Sequence, residues 1–450
     1  MLHPGSLNES KPTRGRTRRS ISVLTVAGVL ALLAAACGSS SPKSSNSGQG
    51  TTPSAQHPVT ITFANWADAE TATRPGIEAT ISQFEATHPG IKVVSQPISF
   101  TDIGHTLILR QQSGNPPDVA ELSGNDTFAV AATGALAPLD SYLKSGVYNA
   151  KALSEGTYKG QVVALPWNSN PPGLWYNKTL MTQAGLDPNS PPATITQLMT
   201  DLATIKAKEP GVLPLGIDTT NRSFALAVDW PWMKTFGATP FSGSNATANT
   251  PQMQAFLGFM QTLAQKGYIT ANHKIGYYRP LAAQNKVAFV WDQPVLQGVV
   301  QSTNHETDAQ FFANWGVTTL PTGPAGQAST VDEGHQLVIF NHSAQKKADW
   351  EFINWLASDP SAVTGYTIKY ESSLPTLANP SPQIQSQINT PILQAFTNKI
   401  LPTVIQLPYG PNFSSAYTPI MAGVQSAVTS STSPASIAAN IQSGLQNAFK

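Results

Sequence analysis

Asn65, Trp66 and Asp68 put an amide, an indole and a carboxylate directly after a β-branched run. Similar groupings recur at Asn125-Asp126, Trp167-Asn168 and Trp291-Asp292, with two more indoles at Trp230 and Trp232. Aromatic faces stack on apolar ring surfaces, while amides and carboxylates take hydrogen bonds from hydroxyls. Together these residue types suit the holding of a neutral, polar small molecule, with no bond made or broken. Each has a structural alternative. Trp66 and Trp291 either face a ligand or fill a core, and Asp68 either takes a hydroxyl or caps a helix. In Asp229-Trp230-Pro231-Trp232, read as a loop, the indoles either reach a site or anchor the loop.

Catalytic patterns are missing from the sequence. There is no G-x-S-x-G elbow, no H-E-x-x-H pair and no phosphate-cradling glycine loop. His305-Glu306 lacks a second histidine, and the eight histidines are scattered. With one cysteine, no thiolate metal site can form. No cofactor is expected. A secreted glycosidase, which needs two carboxylates in a cleft, stays open as an alternative.

Cys37 is the only cysteine and directly follows the uncharged run Ile21–Ala36, itself preceded by Lys11, Arg14, Arg16, Arg18 and Arg19. A basic stretch, an apolar stretch and small residues make an export signal. Its 16 residues fall short of the ~20 a spanning helix needs. Leu33-Ala34-Ala35-Ala36-Cys37-Gly38 resembles a lipobox, in which the cysteine sulfur carries a diacylglycerol. Ser22 stands where a twin-arginine signal has Leu after Arg18-Arg19, so ordinary secretion is expected. Residues 38–57 are rich in Ser, Gly, Thr and Pro and read as a flexible tether.

The whole chain has 26 basic and 25 acidic side chains; without residues 1–36 it has 21 and 24, a net of −3. That balance lacks the positive field of a nucleic-acid binder. A body of about 390 residues exceeds what one hydrophobic core supports, so two lobes are expected.

Positioning the groups requires strands that end where they begin. Val59–Phe63 alternates like a strand, Pro75-Gly76 opens a helix with Ile77, Ile81 and Phe84 on one face, and Ile91–Val94 reads as the next strand. Strand, helix, strand in this short span is a βαβ unit, which implies a parallel sheet. Ile103–Ser113 then reads as a helix, Val119–Leu122 as a buried strand, and Asp126–Thr133 and Pro138–Lys144 as helices. Val162–Trp167 and Val287–Val290 read as strands, and Thr194 as the cap of a helix over Ile195–Lys208.

In order and spacing, several segments resemble the extracytoplasmic solute-binding proteins of ABC importers, the family with maltose- and glycerol-3-phosphate-binding members. They are Phe84–Val93, Ser113–Val119, Gly134–Asp140, Ala164-Leu165-Pro166, Tyr176-Asn177-Lys178, Ala184-Gly185-Leu186, Lys286–Phe289, Gly334–Ile339, Ala348–Leu356 and Leu374-Pro375-Thr376. The resemblance spans about residues 58–450. It implies an α/β fold of two lobes, each a mostly parallel sheet flanked by helices, with a ligand cleft at the hinge. By position, lobe one is 58–165 and 328–373, and lobe two is 166–327 and 374–450; 1–36 is the signal and 37–57 the lipidated tether.

Ligands of such sheets bind beyond the carboxyl ends of strands. The resemblance therefore implies ligand contacts from Asn65, Trp66, Asp68, Asn125, Asp126, Trp167, Asn168, Trp230, Trp232, Trp291, Asp292, Glu333, Gly334 and Tyr417. It implies a lipid-anchored monomeric receptor outside the cell that passes a small solute to membrane permease subunits. A sugar or oligosaccharide is favoured; a glycerophosphodiester stays open, with Arg74, Arg222 and Arg279 as the arginines near loops.

Overall fold

The computed structural model describes Ser54 and residues 56–450; Cys37 and the export segment lie outside the described residues. Strand β1 (Val59–Asn65) buries Ile61 and then Phe63, Ala64 and Asn65 together, and leads into helix α1 (Arg74–Thr87), with Pro75 in its first turn. A proline costs nothing there, because that N–H has no helical partner. Helix α1 buries Ile77, Ile81 and Phe84 and ends where the His88 N–H bonds the Phe84 carbonyl. Strand β2 (Ile91–Pro97) pairs parallel with β1, and β3 (Val119–Leu122) lies parallel on its other side. Asp118 fixes that join, accepting both the N–H and the hydroxyl of Thr62 at 2.8 Å. Helix α2 (Gly124–Ala132) follows, capped by Ser123.

Past β4 (Leu165–Pro166) the chain leaves this sheet and builds β5 (Gly173–Asn177), β6 (Leu213–Gly216), helix α3 (Ser223–Thr235), β7 (Val287–Asp292) and β8 (Trp315–Thr318). It then returns for β9 (Gln336–Ile339) and ends in a helical region that includes α4 (Pro411–Thr429). The first sheet runs β2-β1-β3-β9-β4 and the second β8-β5-β7-β6. Each anchors a lobe with its own core: Phe63, Phe84 and Phe352 interlock in the first, and Trp232, Phe259 and Trp291 in the second.

Within the two-lobed α/β fold, strand directions are more mixed than mostly parallel sheets would have them. β1 is parallel to β2 and β3, and β6 to β7, but β9 runs antiparallel to β3 and β4, and β5 antiparallel to β7 and β8.

Three local expectations fail, the first being the strand over Val162–Trp167, which breaks at Val163-Ala164 into Gln161–Val162 and Leu165–Pro166. Residues 138–144 form turns, because Ala137 N donates to Ile339 O and Leu139 N to Val162 O, which spends the backbone on neighbouring strands. Trp230 and Trp232 lie within α3 rather than a loop, despite Pro231 inside the helix. Burial of the helix on nearly every side outweighs the propensity cost of the proline. The expected helix over Ile195–Lys208 forms with those bounds, closed by a Thr194–Gln197 capping box.

Candidate functional site

The loops after β1, β2, β3, β6 and β7, with the segment entering β9, surround a cavity of about 340 Å³ between the lobes. Its aromatic walls are Trp66 and Phe100 from the first lobe and Phe224 from the second. Phe100 meets the edges of both Trp66 (centroids 5.2 Å apart) and Phe224 (5.9 Å), so ring contacts bridge the lobes. Ser414 of α4 also bonds Asn125 of α2 at 3.2 Å. Glu70, Glu333, His335 and Glu371 line one side, and Arg222, Lys274 and Arg279 the other, with the amides of Asn170 and Gln293 between.

The two arginines are already engaged. Arg279 makes a fork to Asp292, 2.9 and 3.0 Å, and Arg222 pairs with buried Asp218. Glu371 accepts the Tyr366 hydroxyl at 2.8 Å, and Glu333 accepts that of Tyr409. Burial pushes the Glu333 carboxyl up to about 8; the Tyr409 bond opposes this, while Asp332 and Asp126 add to it. Beneath Trp66 lies Glu121, fully buried on β3, with His335 Nδ1 at 2.9 Å.

A larger cavity, about 890 Å³, lies against the crossing segments and is lined by Lys151, Glu155, Ser169, Asp332, Leu374 and Leu377 among others. Ser169 and Asp332 face it, whereas their neighbours Asn170 and Glu333 face the smaller one. Successive residues of extended chain point opposite ways, so the two cavities flank the crossing. The larger has no aromatic lining and lies away from the strand ends. The smaller cavity is therefore the candidate site.

Of the residues singled out in the sequence, Trp66 and Glu333 line this cavity directly. Asp292 acts on it through Arg279, and Asn168 by accepting His335 N at 2.8 Å and Asn170 Nδ2 at 3.0 Å. Asn125 bridges the lobes. Four indoles belong to cores instead. Trp167 stacks on Tyr366 (5.1 Å), Trp230 meets Phe241, and Trp232 packs between Phe259 and Trp291, whose Nε1 bonds Val228 O at 2.8 Å. The cause at Trp291 is that β7 continues through Asp292, so its side chain alternates into the core.

Asn65 is turned to Phe63 O, Ser95 and Asp68 N, Asp68 to Ser95 and Arg74, and Asp126 to Ser123; none lines the cavity. Tyr417 packs half-buried on the second core. Gly334 is a crossing residue, where any Cβ would strike the Asn168 carbonyl oxygen. Backbone cannot swing aside as a side chain can. Gly334→Ala is expected to destabilise by about 1–3 kcal/mol, seen as a lowered thermal midpoint; an unchanged melt refutes the close approach.

Phe100, Phe224, Glu70, Lys274, His335 and Glu371 also line it without having been singled out as binding residues, and Arg222 and Arg279, noted only as arginines near loops, line it too. The rule that sites follow strands reaches Phe100, just past β2. Lys274 and Arg279 precede a strand, and no pattern marks them. Among the described residues no group of three or more His, Cys, Asp or Glu could hold a metal, and no helix is long and apolar enough to cross a membrane.

Two mixed α/β lobes with a cavity at the strand ends between them define a solute-binding architecture. The chain belongs to the bacterial extracellular solute-binding protein family, whose profile matches residues 64–363. It is 23% identical over 299 residues to a binding protein of Brucella abortus, covering 64% of this chain and 70% of that one. An sn-glycerol-3-phosphate-binding periplasmic protein of the same organism is 24% identical over 267 residues, 55% of this chain and 59% of the other. Among solved structures, an ABC transporter solute-binding protein from Thermotoga lettingae bound with α-D-tagatose superposes at TM-score 0.75 with 22% identity, covering 87% of this chain and 100% of that one. The GacH receptor of Streptomyces glaucescens, solved unliganded and with acarbose, gives TM-score 0.75 with 21% identity over 87% and 98%.

Proposed function

We propose that this chain is a lipid-anchored, monomeric receptor that captures a sugar or short oligosaccharide between its lobes and delivers it to an ABC permease. The observation that carries this reading is the interlobe cavity, where Trp66, Phe100 and Phe224 stand beside the carboxylates and amides of Glu70, Glu371, Asn170 and Gln293. Rings cover the apolar faces of a pyranose while the polar groups take its hydroxyls. Structural neighbours that bear tagatose and acarbose support the same class of ligand. A solute touching both lobes favours the closed arrangement, which a permease distinguishes from the empty one by shape. In this reading the lobes are 58–165 with 328–373, and 166–327 with 374–450, and the anchor is on Cys37.

A glycerol phosphate is the second reading, because Arg222, Lys274 and Arg279 line one wall and a relative binds that ligand. The arginines are weakened for that role, since each already neutralises a buried aspartate. Of these three, Lys274 alone has no partner among the described residues.

A thermal-shift panel of D-glucose, D-tagatose, maltose, N,N′-diacetylchitobiose and sn-glycerol 3-phosphate separates the readings. A solute at 100 times its Kd adds about 2.7 kcal/mol, and a saccharide is expected to raise the midpoint by several degrees. A shift with glycerol phosphate alone selects the second reading. Turnover of a glycoside would make the protein a hydrolase.

A further inference from the structure

We propose that His335, held by Glu121, is the charged hydrogen-bond donor that meets an oxygen of the bound solute, so that affinity depends on the His335 proton. This rests on the interlobe cavity being the solute site. Glu121 is buried on β3, and nothing in the exposed pattern of the sequence calls for a carboxylate there. Its Oε2 accepts the backbone N–H groups of Trp66 (3.1 Å) and Ala67 (3.2 Å), which fixes the turn that presents the Trp66 ring. Its Oε1 lies 2.9 Å from His335 Nδ1, and neither atom has another partner among the described residues. A buried carboxylate must be paired, so the imidazole is what Glu121 has.

That pairing decides the ring's other end. With Nδ1 committed to Glu121 as donor, a second proton can sit only on Nε2. Nε2 has no protein partner among the described residues and is not among the sealed polar atoms of the interior, and His335 lines the cavity. The ring plane is fixed by the edges of Trp66 (centroids 4.8 Å apart) and Trp167 (6.3 Å). Protonated, Nε2 is an oriented cationic donor beside the stacking surface. Neutral, with the proton retained at Nδ1, it becomes an acceptor.

The surrounding charges favour the protonated ring. Burial opposes the imidazolium most strongly, but the Glu121 bond and charge, with Glu371 and Glu70, outweigh it and hold the ring above its ordinary value. Glu333, Arg222, Lys274 and Arg279 also face this cavity, the last three from the opposite lobe. Glu121 is thus a positioning residue, and His335 the contact.

Nitrogen NMR of histidine-labelled whole protein tests this. In ligand-free wild type, His335 is expected to carry a proton on Nδ1 and to remain imidazolium above pH 6.5. A ring found neutral at pH 6 overturns the proposal. Glu121→Gln keeps an acceptor for the Trp66 and Ala67 amides but turns an NH₂ toward Nδ1, and should move the titration below pH 6.5. Using whichever panel compound shifts the melt, calorimetry should find affinity about ten-fold weaker at pH 9 than at pH 6, the loss of a charged donor. In Glu121→Gln the decline should move to lower pH with the titration. A compound that binds equally at both pH values, or leaves the Nε2 resonance unmoved, overturns the proposal. Failure of every saccharide with binding of glycerol phosphate sinks the sugar reading instead, and the histidine test is then read with that compound.

Discussion

Arg279→Leu should destabilise the protein by about 3–5 kcal/mol, the cost of stranding a buried charge. Asp292 ends β7 with its side chain wholly buried, while Arg279 is 20% exposed at the cavity. Both carboxylate oxygens take guanidinium bonds, and among the described residues the only other donor is the Gln293 N–H at 2.8 Å. The Asp292 carbonyl is in turn bonded by Trp175 Nε1 at 2.9 Å, so the carboxylate has little room to move toward water. In a chain of this size each kcal/mol is worth about 2–4 °C or less, so the melting midpoint should fall by roughly 10 °C. Adding Asp292→Asn to Arg279→Leu removes the stranded charge and should restore more than half of the loss. A single variant that melts within a degree or two of wild type would show that water reaches Asp292 and that the pair is dispensable. Solute affinity should fall in both variants, since Arg279 also lines the cavity.

That pair shows where reading the sequence stops. Strand β3 and the helix over Ile195–Lys208 were legible with their observed bounds, because alternation, capping residues and flanking turns all agree locally. Trp66 was legible because a ring just past a β-branched strand falls at a sheet's carboxyl end. Trp291 obeyed the same rule and broke it, since β7 runs two residues longer than its β-branched pattern and turns the indole inward. In Trp230 and Trp232 the proline suggested a loop, whereas burial on most sides kept the helix. Glu121 and His335 lie 214 positions apart, joined only because β3 and β9 are neighbours in the sheet. No local signal encodes such a meeting. Glu371 and Arg279 reach the cavity from a crossing and from the short helix Tyr278–Ala283 before a strand, where spacing carries no instruction.

Alkaline conditions should weaken the fold through carboxyls held neutral at the crossing. Burial, then Asp332 and Glu333, push Glu155 up to about 9 against the opposing pull of Lys151, and burial holds Glu333 near 8. In the first lobe burial lifts Asp349 to about 7, although the Ser343 hydroxyl donates to it. All three folded values lie above the unfolded ones of 4.5 for Glu and 3.8 for Asp. Between those limits the unfolded chain has released protons that the folded chain retains, so stability falls as pH rises. The contribution is whole below about pH 4 and is lost through pH 7, 8 and 9 in turn. His335, raised by its carboxylate neighbours, adds in the same direction above its unfolded value of 6.5. Denaturant titrations should show unfolding free energy falling steadily between pH 5 and 9, each such carboxyl contributing up to about 1.4 kcal/mol per pH unit until its folded value is passed. Glu333→Gln should flatten part of that slope, since an amide can still accept the Tyr409 hydroxyl bond without needing a proton. A free energy level or rising over that interval would mean that these groups ionise freely in the folded chain. The consequence reaches the cleft, because Asp332 and Glu333 are adjacent on one crossing segment and face opposite cavities. Ionising both sets like charges on the strand between the lobes, where Asp332 also holds Ser169 and the Asn170 N–H.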